Sequence, residues 1–144
     1  MPHKSPDHHD AELLLKVYDL RREPVMRESR VAIMSKFWPK SFEDLQAVTT
    51  TPDHPLNAAY RQTSTYWEMV YGIARHGIVN PDFWIEGNGE GLFLFARVAA
   101  FLPQVRATYP RAFRNAEWMS TSCDTARAVF TMFQERVRTV TGGR

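Results

Sequence analysis

The chain lacks most of what makes an enzyme or a secreted protein legible. Its 144 residues include one cysteine, Cys123. No intrachain disulfide can form, and a reducing compartment is the natural setting. Long hydrophobic runs are missing too. The most apolar stretch, LFLFARVAAFL at 92–102, contains Arg97 and covers eleven residues, whereas a spanning helix needs about 20. It reads as a buried core helix. The first ten residues, MPHKSPDHHD, carry no apolar segment, so no secretory signal is expected. There is no G-x-x-x-x-G-K-[ST], no G-x-S-x-G and no E-x-x-H. These gaps argue against a phosphate loop, a hydrolase nucleophile elbow and a bundle-type diiron centre.

Charge of one sign is scarce overall, with a net of +2, but it is unevenly placed. Residues 1–96 carry ten basic and thirteen acidic side chains; residues 97–144 carry eight and three. A basic half can attract nucleic acid or anions, or pair with the acidic half. Arg106, Arg111 and Arg114 around Tyr109 and Pro110 are read as a solvated surface, so nucleic acid is not the expected partner.

Apolar residues recur at helical spacing, and no run alternates as a strand would. Asp7 or Ser5 can cap a first helix over 7–22. Pro24 can open a second, which Pro39 ends after Trp38. Ser41 and Asp44 have capping-box spacing for a short third. Pro55 opens the longest, over 55–76, with Gly77 as its C-terminal cap. Asn80 and Pro81 restart the chain. Helix continues over 90–109, divided near Pro103, then through Trp118. The last helix, 122–140, places Ala126, Phe130, Phe133, Val137 and Val140 on one seam. The expected fold is all-α: a mainly antiparallel bundle of five or six helices in a single domain, 1–144. Residues 1–6 are expected to be mobile and 141–144 frayed.

Candidate chemistry is sparse. His3, His8 and His9 with Asp7, Asp10 and Glu12 have metal-ligand side chains but no preorganised spacing, so no metal is expected. Cys123 lies near a helix start and reads as an ordinary half-buried thiol. The glycines of GNGEG, 87–91, lack the strand and spacing of a dinucleotide loop, and Glu86 and Glu90 would repel phosphate. They read as a mobile joint between helices. Glu68 beside Trp67 and Glu117 beside Trp118 are more suggestive. Arg30 lies on an apolar stripe and must snorkel or pair, so it is expected to meet one of these glutamates.

YWEMVYGIARHGIVNPDFW, 66–84, puts an inner glutamate on a long helix before a glycine turn and an Asn-Pro-Asp-Phe restart. YPRAFRNAEW, 109–118, adds an aromatic and basic segment. This succession resembles a group of small, all-helical bacterial proteins of unknown function, over about half the chain. The resemblance implies a bacterial helical bundle with no established activity; the GNGEG segment departs from it.

Two functions are carried forward. The first is a non-catalytic, cytoplasmic domain acting through protein–protein contacts, self-association as a homodimer above all. Its motive is an aromatic and apolar surplus beyond one stripe per helix. The second is a small-molecule-binding or enzymatic bundle with a pocket near Arg30, Glu68, Glu117, Trp67 and Trp118. Neither requires a cofactor or a membrane.

Overall fold

A computed structural model describes residues 5–143. Among them are nine α-helical segments, one 3-10 turn and no strand. They are α1 (His8–Arg21), α2 (Pro24–Lys36), α3 (Phe42–Thr49), α4 (Asn57–Arg75), α5 (Pro81–Gly87), α6 (Glu90–Val98), the 3-10 turn Ala99–Phe101, α7 (Leu102–Thr108), α8 (Arg114–Ser120) and α9 (Asp124–Thr141). The all-α class stands. The expected five or six helices are too few because the short segments Pro81–Gly87, Leu102–Thr108 and Arg114–Ser120 form helices of their own. The 90–109 segment divides at the 3-10 turn, with Pro103 inside the first turn of α7. None of these helices is long and apolar enough to cross a membrane. The expected loose tail, 1–6, falls partly on residues 1–4, which like residue 144 lie outside the described residues.

The helix ends follow local chemistry. Asp7 accepts from the His9 and Asp10 amides at 3.0 and 3.2 Å and starts α1. Pro24 opens α2, while Glu23 accepts from Met26 N at 2.9 Å. Ser41 accepts from Asp44 N, and Asp44 accepts in turn from Lys40 N. That is close to a capping box, displaced by one residue. Pro55 does not open α4; Leu56 and Asn57 come first through a turn bonded at His54 and Thr51. At the other end Gly77 has φ +77°. Its amide bonds Ala74 O, and Ile78 N bonds Ile73 O. This is the Schellman arrangement, which glycine enters without the Cβ penalty.

α4 is the central helix. Its buried side, Thr63, Tyr66, Trp67, Val70, Tyr71 and Ala74, faces α2, α8, α3, α6 and α5. α9 covers the outer side of α5 and α6. Phe133 stacks on Phe93 at 4.6 Å and Phe130 on Phe95 at 5.3 Å between ring centroids. Of the expected α9 seam, Ala126 and Val137 are buried and the two phenylalanines half-buried; Val140 points outward and Thr141 takes the inner position. The aromatic surplus is largely absorbed inside: Phe37, Trp67, Tyr71, Trp84 and Phe95 are each at most 3 % exposed.

Candidate functional site

The structure does not gather the five candidate residues into one pocket. Arg30 of α2 pairs with Glu90, not with Glu68 or Glu117. Its Nε and Nη2 each donate to a different Glu90 carboxylate oxygen at 2.8 Å. This forked bond is the largest influence raising the Arg30 pKa. Glu117 is exposed and meets Arg106 at 3.0 Å. Trp67 lies in the core and Trp118 is half-buried on α8. Glu68 alone of the five lines a sizeable cavity.

The glycine segment is the expected joint between α5 and α6, but it is fastened by side chains from α1 and α4. Asn88 is fully buried. Its side-chain oxygen accepts from Arg21 Nη1 at 2.8 Å, and its backbone oxygen from Tyr71 Oη at 2.6 Å. Arg21 Nη2 reaches Gly87 O at 3.2 Å. Tyr66 Oη accepts weakly from Arg21 and donates to Val17 O at 2.5 Å. The Arg21 guanidinium also stands over the Trp67 ring, 5.2 Å from its centroid. Three separated segments therefore meet here: α1, α4 and the α5–α6 connection. None of glycines 87, 89 and 91 has positive φ; Gly91 serves close approach. A Cβ on Gly91 would lie 2.6 Å from Tyr71 Oη and 2.7 Å from the Trp67 ring.

Arg97 is a second polar anchor that the sequence reading passes over. It is fully buried, with no carboxylate bonded to it. Nη1 donates to the carbonyls of Ile33, Met34 and Phe37, at 2.8, 3.1 and 2.9 Å. These acceptors close the C-terminal end of α2, where the helix dipole favours a cation. Trp38 and Phe93 lie 3.7 and 4.3 Å from the guanidinium carbon. Burial lowers its pKa to about 10, so it remains charged at neutral pH.

The sizeable cavity, about 630 Å³, opens between α4 and the α7–α8 connection. Tyr60, Arg61, Ser64, Thr65 and Glu68 line one side; Val105, Tyr109, Arg111, Ala112 and Phe113 line the other. The second wall is held firmly. Arg106 Nε donates to Ala112 O at 3.1 Å. Phe113 takes a left-handed backbone, φ +56°, and no side chain of its own caps α8. Glu68 supplies that cap from α4: Oε2 accepts from Asn115 N at 3.0 Å and Oε1 from Ala116 N at 2.8 Å. Burial raises the Glu68 pKa, and the two amide bonds only partly oppose this. Burial also raises the Tyr60 pKa. The hydroxyls of Tyr60 and Ser64 and the Arg111 guanidinium have no hydrogen-bond partner among the described residues.

A family model described as a domain of unknown function, DUF4760, matches residues 6–123. The chain belongs to the DUF4760 family. No curated protein and no solved structure matches it. The resemblance implies a family of unknown function, and the match agrees at that level. Within the DUF4760 segment lie α1 to α8, the glycine hub and both walls of the cavity; α9 follows it.

In this DUF4760 chain, Glu68 is legible from the sequence because it adjoins Trp67, a tryptophan expected to be buried. Tyr60 and Arg61 carried no such signal. Arg111 was visible only as one of three arginines around a proline. Cys123 stands at the N-terminal boundary of α9, with Ser122 Oγ 3.8 Å from its sulfur. No group of three metal-ligating side chains forms among the described residues.

Proposed function

We propose that this DUF4760 protein is a non-catalytic binding protein whose ligand sits in the groove beside α4. The observation that carries the reading is a roomy cavity whose wall presents donors with no internal partner: Tyr60, Ser64 and Arg111. Its volume lies within the ~300–1,000 Å³ usual for ligand sites. The carboxylates, by contrast, are engaged in structure. Glu68 caps α8, Glu90 holds Arg30 and Glu117 meets Arg106. That leaves little for acid–base chemistry and supports binding over turnover. The single cysteine supports a reducing, cytoplasmic setting, and bacterial origin remains part of the proposal.

Self-association is a second reading, as a homodimer through the outer side of α1, α2 and their connection. It is supported by Leu15, Tyr18, Leu20, Val25 and Val31, which are all exposed there. Native mass spectrometry of the full chain at several concentrations separates the two. A monomer with a reproducible added mass that Thr65→Trp removes supports the groove; Thr65 is exposed at its rim. A concentration-dependent mass of two chains, reduced by Leu15→Glu with Val31→Glu, supports the dimer. A bare monomer at every concentration counts against both.

A further inference from the structure

We infer that the groove selects a small anionic ligand with a flat, apolar body. This rests on the groove being the ligand site. The cationic side of the argument begins at Asn57, which is 3 % exposed. Its Nδ2 donates to Val48 O at 2.8 Å, tying the start of α4 to the end of α3. Its Oδ1 then accepts from Arg61 Nε at 2.9 Å. The Arg61 guanidinium is thus oriented through its inner nitrogen. Its two terminal nitrogens make no hydrogen bond among the described residues. Arg111 faces the same cavity from the opposite wall, likewise without a partner.

The lining holds one carboxylate against these two guanidinium groups, and it is already engaged. Both oxygens of Glu68 accept from the α8 amides. A ligand carboxylate or phosphate therefore meets two available forks of N–H donors and one carboxylate committed elsewhere. The rest of the wall sets the body. Tyr60, Tyr109 and Phe113 supply ring surfaces, and Val105 and Ala112 extend the apolar area. The hydroxyls of Tyr60 and Ser64 can add neutral hydrogen bonds. The cavity volume of about 630 Å³ suits a compact molecule. Recognition by two forks and several rings needs the flat body and the anion in one molecule.

Isothermal titration calorimetry with 2-naphthoate and its neutral counterpart 2-naphthamide tests this on the full chain at low salt. The naphthoate should bind about tenfold or more tightly than the amide, as a charge-assisted contact would give. Arg111→Gln and Arg61→Gln should each reduce that preference, and Thr65→Trp should weaken both ligands. Arg61, Arg111 and Thr65 are exposed, so these variants should keep the helical circular dichroism of the parent. If both probes bind equally and Thr65→Trp blocks both, the groove stands and the anion preference is wrong. If naphthoate binding ignores Thr65→Trp, or neither probe binds, the groove reading falls and the preference with it.

Discussion

At the scale of single residues, two positions show how little room the core leaves. Gly91 has an ordinary backbone, yet any side chain there would enter the space of Tyr71 and Trp67, which are both buried. Gly91→Ala should lower stability by about 1–3 kcal/mol, the usual cost of overpacking. Gly87→Ala should cost less, because its Cβ would meet only the tip of Leu14, a flexible side chain. Equal urea midpoints for the two variants would count against the close approach at Gly91. Arg97 poses the opposite problem, since it is a buried cation held by three carbonyls and two rings. Removing it relieves a desolvation cost but orphans the acceptors at the end of α2. The orphaned carbonyls should dominate, at ~1–3 kcal/mol for unsatisfied buried groups. Arg97→Leu should therefore unfold at lower urea than the parent; an unchanged or higher midpoint would show that desolvation wins.

At the scale of elements, α8 is the clearest case of a helix completed by another helix. Glu68→Ala removes the acceptor for two amides in its first turn. The loss should be about 0.5–2 kcal/mol, as for other N-terminal caps. Hydrogen exchange should quicken at Asn115 and Ala116 while α2 stays protected. The same carboxylate has a pH signature. Burial raises its folded pKa above the ordinary 4.5, so its contribution to stability is full below that value and is lost as pH rises through the folded one. The parent should therefore lose thermal stability relative to Glu68→Gln as pH increases from about 4.5. A parent that gains on the variant over this range would mean that the amide bonds outweigh burial.

At the scale of the whole molecule, α9 binds the layers together although it follows the family segment. Phe95 of α6 is 3 % exposed and stacks with Phe113 ahead of α8 and Phe130 of α9. One ring thus joins the groove wall to the last helix. Phe95→Ala should cost about 3–5 kcal/mol in chemical denaturation, typical of a buried phenylalanine. A loss below 1 kcal/mol would show that the cluster collapses around the gap. The charge asymmetry has a local resolution. Among the described residues the ion pairs join Arg30 to Glu90, Arg106 to Glu117, Arg127 to Asp124 and Arg138 to Glu135. None of these pairs links the acidic half to the basic half; Glu68, accepting from the α8 amides, and Arg97, donating to the α2 carbonyls, cross between them instead.

The sequence by itself determined the helical class and most helix boundaries, because caps, prolines and Gly77 act on backbone groups within a few residues. It also singled out Glu68, beside Trp67, as a candidate partner for a buried cation. Only the tertiary structure decided which partner satisfied it, and the same holds for Arg30, whose carboxylate lies 60 residues away. The glycine segment is the sharpest division. Its composition favours a loose joint when read locally, but its conformation is set by Arg21, Tyr66 and Tyr71 arriving from α1 and α4. The groove likewise needs α4 and the α7–α8 connection to meet before Tyr60, Arg61 and Arg111 share one cavity. Periodicity records which side of a helix is apolar. It carries no information on which distant side chain that side will meet, and buried polar groups are stable only when those distant partners arrive.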